Sequence, residues 1–571
     1  MKRLVLYGFL LAFFMCAPRA HAQGACPSGA PVSGNHCYFI SSASGSDSNS
    51  GTSESAPWAN APKMSTCTAN CAANNPTGGT AYIFKGCDTW NFAKIGEWTP
   101  GVSGSAGNPI YFGGFDQSWY NSSACPNGWN RPIFSGEGTW PGTNGSYFLD
   151  FDEDNYWRVA WIEFTGLFTD CSTGCNSSLG YMSAGVGVAS FEFDHNYLHG
   201  FTFYFPNSCT VSGNSYPCTE PFGLNMSSTP AASGEIDHNV FSGQDTTGKC
   251  NGCWSTSQDL GLWLTGSFHN VEIDHNWMGY GDCIVGTFYM FHDNTMYSCG
   301  PFSAAANSVH NNVFENNADP PQGTLMYNNL SSNAGALGYA TVSQLAPNSG
   351  VTSYFFNNVT ENYLGGQTGG QLAFSCSTPS GGGGGLCVLF NNTMECGPDS
   401  GPNSPPSLAC AVAGAAPLTM DSFYNHYITS SSSAIQCYQN ACGTVLQLPN
   451  PNLAQPLSAA NNQGYSLGSY FAPQNGSGAT IQAGFTPTAL LAQCAAVGAV
   501  NAGAGTACQS STTAGVTLVT SPYYSIGGST VTPVARLISG STKNDAGAFQ
   551  FGGASTTTGP QPPSGLTATV N

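Results

Sequence analysis

The chain has 571 residues, of which 7% are charged against about 25% in an ordinary globular protein. Its 11 Lys and Arg stand against 30 Asp and Glu, and the net charge of −19 excludes nucleic acid and anionic membrane surfaces as partners, which need clustered positive charge. Aromatics at 12% supply too much apolar mass for a disordered polar tract.

In chain order, Lys2 and Arg3 precede an apolar run from Leu4 to Met15 and the small residues around Ala20-His21-Ala22. This is the pattern of a signal peptide over residues 1–22. The run is too short for a membrane span, and no later stretch qualifies. Setting aside Cys16, which lies in that segment, leaves 22 of the 23 cysteines. An even number in an exported chain implies up to 11 disulfides and a secreted, extracellular location.

The next segments are Cys37-Tyr-Phe-Ile-Ser-Ser-Ala-Ser-Gly-Ser-Asp-Ser-Asn-Ser-Gly-Thr52, then Ala56-Pro-Trp58, Gly78-Gly-Thr-Ala-Tyr-Ile-Phe84, Gly107-Asn-Pro-Ile-Tyr111 and Trp157-Arg-Val-Ala-Trp-Ile-Glu-Phe-Thr-Gly166. A repeat follows: Phe191-Glu-Phe-Asp-His-Asn196, Gly234-Glu-Ile-Asp-His-Asn239 and Val271-Glu-Ile-Asp-His-Asn276. It continues in looser form to Asn294, Asn312, Asn329, Asn358, Asn392 and Asn425, with a shortest spacing of 17 or 18 residues and insertions in the longer gaps. Each unit carries a large apolar residue three places before its Asn, as at Phe193, Ile236, Ile273 and Phe291.

Short apolar strands ending at Asn, without helical periodicity, fit an all-β parallel solenoid whose coils rise about 4.8 Å. Asn suits the bend because it tolerates the left-handed conformation, and stacked amides can bond along a column. The coil pattern resembles the right-handed parallel β-helix proteins of the pectate-lyase-like superfamily. Residues 37–84 are similar to the amino-terminal cap and first coil of exported members, and Asp545-Ala-Gly-Ala-Phe549 to their closing segment. The resemblance implies a β-helix with its cap over residues 23–551, the coil signal being clearest over 156–430. Residues 552–571 read as a flexible Pro/Thr/Gly-rich tail. The superfamily hosts lyases, hydrolases, epimerases and non-catalytic surface proteins, so fold alone names no reaction.

Insertions hold many of the cysteines. Cys209 and Cys218 follow Asn196, Cys250 and Cys253 follow Asn239, and Cys376 and Cys387 flank a Gly-rich run. Cys171 with Cys175 and Cys396 with Cys410 lie in further loops. Local bridges would staple loops that lack a core. The insertions after Asn196 and Asn239 would then emerge side by side and wall a groove.

The chemistry-bearing feature is a pair of ionisable columns. Asp194, Asp237, Asp274, His292 and His310 stand two places before the Asn, and His195, His238, His275 and Asp293 one place before it. Three stacked carboxylates repel and need neighbouring His, a raised pKa or a cation such as Ca²⁺, so Asp194, Asp237 and Asp274 are candidate metal ligands. Where the order switches, Asp274 would stack on His292 and His275 on Asp293, an acid/base cluster fit for proton transfer. The same columns also read as a duplicated, bend-stabilising ladder.

Between Val159 and Ala535 the only Lys or Arg is Lys249, on a candidate groove wall, and a lyase-type elimination would draw on it. Hydrolysis needs two carboxyls about 5–10 Å apart, for which Asp245, Asp259, Asp282 and Asp293 are sources. Trp254, Trp277 and Tyr280 are candidate sugar platforms or packing residues. The first expectation is therefore a secreted protein that cleaves extracellular polysaccharide as a lyase or hydrolase, with Asp274, His275, His292, Asp293 and Lys249 at its centre. The second is a non-catalytic carbohydrate-binding, adhesin, matrix or fibre protein, which would also self-associate.

Overall fold

The computed structural model describes residues 36–137, 147–151, 154–166, 190–200, 233–243, 270–280, 288–299, 319–332, 344–361, 384–395, 418–429, 451–520 and 523–551, the strands between them, and Cys26, Pro27, Ala30 and Val32. The chain winds as a right-handed parallel β-helix. A first sheet of thirteen parallel strands runs from His36–Ile40 to Thr444–Gln447. A second of twelve runs from Thr89–Asn91 to Leu453–Pro456, and two six-stranded sheets share the third side.

Alternation along each strand explains the core. Phe193, Ile236, Ile273, Phe291, Met326, Phe355 and Leu389 point inward from successive coils, each at most 1% exposed. Burying side chains of this size stabilises the coil by about 1.5–3 kcal/mol each.

The corner between the first and second sheets repeats coil after coil. The residue at the left-handed bend is not the Asn but the one before it: His195, His238, His275, Asp293, Asn328, Asn357 and Asn391 all have φ between +52° and +58°. This corrects the assignment of the bend to Asn. The Asn that follows is buried and ties three coils. Asn276 Nδ2 donates to Ile236 O at 2.7 Å on one side and to Asn294 Oδ1 at 3.1 Å on the other. The same bonds run from Asn196 to Asn452, and the partner of Asn294 is Asn329 at 3.2 Å. Asn312 is not in that file. It ends a strand, His310–Asn312, on the third side of the helix, paired with Tyr339–Thr341, so His310 also leaves the Asp/His column. The Asn-ending pattern there marks a different strand of the same coil.

After Pro456 the chain turns back over its own outer surface. The helix Pro487–Val500, capped by Thr486, and the short helix Ala502–Ala507 are joined by the Cys494–Cys508 disulfide. They cover the outer side of the first sheet at Leu325, Tyr327, Phe356 and Phe390. An antiparallel hairpin, Val516–Val519 with Ser525–Ser529, covers Tyr197, Val240, Trp277 and Tyr297 on the second. The described disulfides also include Cys26–Cys37, Cys67–Cys71, Cys87–Cys125, Cys283–Cys299 and Cys376–Cys387. The cysteines at 171, 175, 209, 218, 250, 253, 396 and 410, like residues 1–22 and 552–571, lie outside the described residues. No helix among the described residues is long and apolar enough to cross a membrane.

On the second sheet Glu361 is buried in the next coil to the buried Glu395. Ser332 donates to Glu361 Oε1 at 2.9 Å, while Oε2 has no partner. Burial, with the Glu395 charge adding to it, pushes Glu361 up to about 8 from the ordinary 4.5. The fold therefore favours the protonated acid. Its contribution to stability is fully present below the unfolded value and is lost as pH rises through the folded one. The melting temperature is expected to fall between about pH 5 and 8, and Glu361→Gln is expected to flatten that slope in a thermal melt.

Candidate functional site

The outer side of the first sheet presents two columns in register. One reads Tyr111, Arg158, Glu192, Glu235, Glu272, Met290 and Leu325. The other reads Gly113, Ala160, Asp194, Asp237, Asp274, His292 and Tyr327. Strand alternation forces this: in Glu-Ile-Asp the apolar residue points inward, so both acids point outward. Six carboxyls thus form a lattice three coils long, closed by a cation at each end.

At one end Arg158 grips Asp194 with two bonds of 2.8 Å and lies 3.2 Å from Glu192. Burial acts upward on Asp194, but hydrogen bonds from His195 and Arg158 outweigh it and hold the carboxyl below its usual range. At the other end His292 Nε2 bonds Glu272 Oε1 at 2.7 Å and Nδ1 bonds Asp293 Oδ2 at 2.8 Å. Burial disfavours the imidazolium, yet these two acids raise His292 to about 10, so it is charged at neutral pH. Asp293 also accepts a hydrogen bond from Thr513 of the returning segment.

Between these ends the acids crowd. Partial desolvation among its crowded neighbours, then the charges of Asp237, Asp274, Glu192 and Glu272, push Glu235 up to about 7, although its side chain still reaches solvent. Burial, with Asp194 and Asp237 adding to it, raises Glu192 to about 7 against the pull of Arg158. Each Asp is tied to the His that follows it: His195 to Asp194 at 2.8 Å, His238 to Asp237 at 2.7 Å and His275 to Asp274 at 2.6 Å. The three imidazoles stack with centroids 4.8 and 4.9 Å apart.

Asp274 and His292 are register neighbours, but each Asp–His hydrogen bond forms within one coil, and His292 reaches across to Glu272 instead of Asp274. His275 meets the edge of the His292 ring, at 6.3 Å between centroids, instead of bonding Asp293.

A cavity of about 310 Å³ lies over the glutamate column, with Glu192, Glu235, Glu272, Asn270, Tyr289 and Asn501 among its walls. In the repeat the Asp and His columns stand out more than these glutamates. The signal was present, since Glu stands two residues before each Asp and therefore on the same face. Asn501 had no such signal, because only the returning helix brings it there.

The Asp194, Asp237 and Asp274 set does not present itself as a single cation cage, because Arg158 takes both oxygens of Asp194. Glu192, Glu235 and Asp237 instead each place one oxygen within 4.8 Å of the other two, an all-oxygen donor set of the kind Ca²⁺ takes. Trp277 and Tyr280 are 2% and 8% exposed and pack beside Leu518 and Ile526 of the hairpin, so the surface they would offer to a sugar is already covered. Lys249 and Trp254 lie outside the described residues.

No known family model matches the chain, and no curated protein matches it. Among solved structures, a GH136 lacto-N-biosidase from Eubacterium ramulus is similar over 74% of this chain and 68% of that one, at 10% identity and a TM-score of 0.43. A rhamnogalacturonan lyase is similar over 73% of this chain and 87% of that one, at 14% identity and a TM-score of 0.34. These likenesses concern the fold.

Proposed function

We propose that the chain is an exported protein that hydrolyses extracellular glycans, with its reaction centre on the glutamate column of the first sheet. One observation carries this reading: Glu235, raised to about 7, faces a cavity beside Glu272, which is hydrogen-bonded to the charged His292. A carboxyl still protonated near neutrality can hand its proton to the leaving glycosidic oxygen, while a neighbouring carboxylate attacks or stabilises the sugar carbon. Adjacent coils are about 4.8 Å apart, which places the two groups near the spacing of about 5–5.5 Å that goes with retention of configuration.

In this reading Asp293 and His292 position Glu272, the Asp274–His275 pair flanks it, and Asn270, Tyr289 and Asn501 offer hydrogen bonds to hydroxyls. Elimination from a uronate fits less well. Its carboxylate would enter among six acids, and the guanidinium of Arg158 is already engaged by Glu192 and Asp194. Binding without turnover is the second reading, favoured by the threefold recurrence of one motif with its stacked imidazoles.

The deciding assay offers xylan, β-glucan, galactan, arabinan and polygalacturonate to the full chain, with Ca²⁺ or with a chelator. Reducing-end release from a neutral glycan, with retained configuration by proton NMR, is the expected result. Release of an unsaturated uronate, or binding with no turnover on the whole panel, overturns hydrolysis.

A further inference from the structure

We infer that the site takes the end of a glycan chain, not its interior, so that the protein acts on termini and releases a short product. This rests on the hydrolytic reading of the glutamate column and adds to it the part of the substrate that the column admits.

What covers the first sheet decides how much of a glycan it can admit. Upstream of the acids its outer positions are sealed: Phe39, Ile83, Tyr111 and Ala160 pack in one cluster with Trp119 and Phe115 of the loop tied down by Cys87–Cys125. Downstream, Met290, Leu325, Tyr327, Phe356 and Phe390 are buried together with Leu490, Cys494 and Val497 of the returning helix. Between these two covers, the three coils bearing Glu192, Glu235 and Glu272 keep their outer side open, and beyond the returning helix Asp421 and Phe423 are again only partly buried. The glutamate side chains are about a third exposed at Glu192 and Glu272, and Glu235 is exposed. Three coils span about 14 Å along the axis.

The cavity follows that axis. Its walls take the same strand positions from successive coils, Glu192, Glu235 and Glu272, and it ends at Tyr289, Met290 and Asn501. That end is fixed in place. Tyr289 Oη donates to Val500 O at 2.8 Å, Asn501 caps the short helix by accepting from Ala504 N at 3.0 Å, and Cys494–Cys508 holds the two helices together. A polymer lying along the glutamates would run into this wall, whereas a chain terminus can abut it. Loop elements that seal one end of a groove select termini by excluding continuations of the chain, which is specificity by obstruction.

Product profiles test this on the full chain with xylan, β-glucan, galactan and arabinan as probes. From the earliest time points a single short oligosaccharide is expected to accumulate while the polymer keeps its length and viscosity. A second measurement uses Glu235→Gln protein and size-fractionated samples of the same polymers. Calorimetric stoichiometry per chain is expected to stay constant as chain length grows, because the number of ends does not change. A ladder of intermediate oligosaccharides with early loss of viscosity, or a stoichiometry that climbs with length, overturns terminal recognition and leaves hydrolysis standing. Absence of both binding and cleavage for all four polymers overturns the hydrolytic reading and this inference together.

Discussion

Glu235→Gln is expected to lower kcat on the active glycan by about 10²–10⁴-fold, the range that a positioned proton donor contributes. Gln fills the same volume and keeps a hydrogen-bonding tip, so the melting temperature should hold or rise as crowded negative charge is relieved. The pH profile carries more information than the rate. Wild-type activity should fall as pH climbs through about 7, where Glu235 loses its proton. Asp237 is the largest charge acting on Glu235 after burial itself, so Asp237→Asn should move that alkaline limb to lower pH. Glu272→Gln should lose activity to a similar degree without moving the limb in the same way, because its role is to attack or stabilise the sugar carbon and not to donate the proton. His292→Ala should reduce kcat more than it raises KM, since Glu272 would lose the 2.7 Å bond that positions it. Steady-state kinetics from pH 5 to 9 on these four proteins measure all of this. An unchanged kcat for both Gln variants would remove the proposed centre.

The helix could be read from the sequence because each coil obeys a local rule. The apolar residue three places before Asn must point inward, and Phe193, Ile236 and Ile273 do. The ionisable columns were also legible, but their pairing was not. Histidine at the bend takes a left-handed backbone, and its ring hydrogen-bonds the Asp immediately before it while stacking on the imidazole of the next coil, instead of bonding that coil's carboxylate. The glutamates could have been found by carrying the two-residue alternation one step further. Asn312 misled because a third-side strand ends in the same residue as the corner. What sequence could not reveal is the cover. Trp277 looks like an exposed platform until the hairpin folds over it, and that contact joins residues more than two hundred positions apart. The same long-range return supplies Asn501 to the cavity and decides which coils stay open.

Asn276→Ala is expected to be the most damaging single change to the scaffold. The amide of Asn276 donates to Ile236 O, Asp274 O and Asn294 Oδ1, and its oxygen accepts from the Asn239 backbone at 2.9 Å and from the Asn239 side chain at 3.0 Å. Alanine removes all of these side-chain bonds and leaves the buried Asn239 backbone N–H without its acceptor in a tight corner, at a cost of about 3–5 kcal/mol. In a solenoid each coil leans mainly on its neighbours, so the loss should be local before it is global. Hydrogen exchange should show protection collapsing at the amides of Asn239 and Asn276, with strands near Asn392 little changed. It should be accompanied by a lower denaturation midpoint. The same substitution at Asn452, the last of the file, should cost less because the strands beside it, Thr444–Gln447 and Leu453–Pro456, are the last of their two sheets. Because Glu235 and Glu272 sit on the strands that enter this corner, Asn276→Ala should also reduce activity at temperatures well below the melt, as the two carboxyls lose their fixed separation. If Asn276→Ala proved as stable as Asn452→Ala, the file of amides would be a passive consequence of stacking and not what holds the corner.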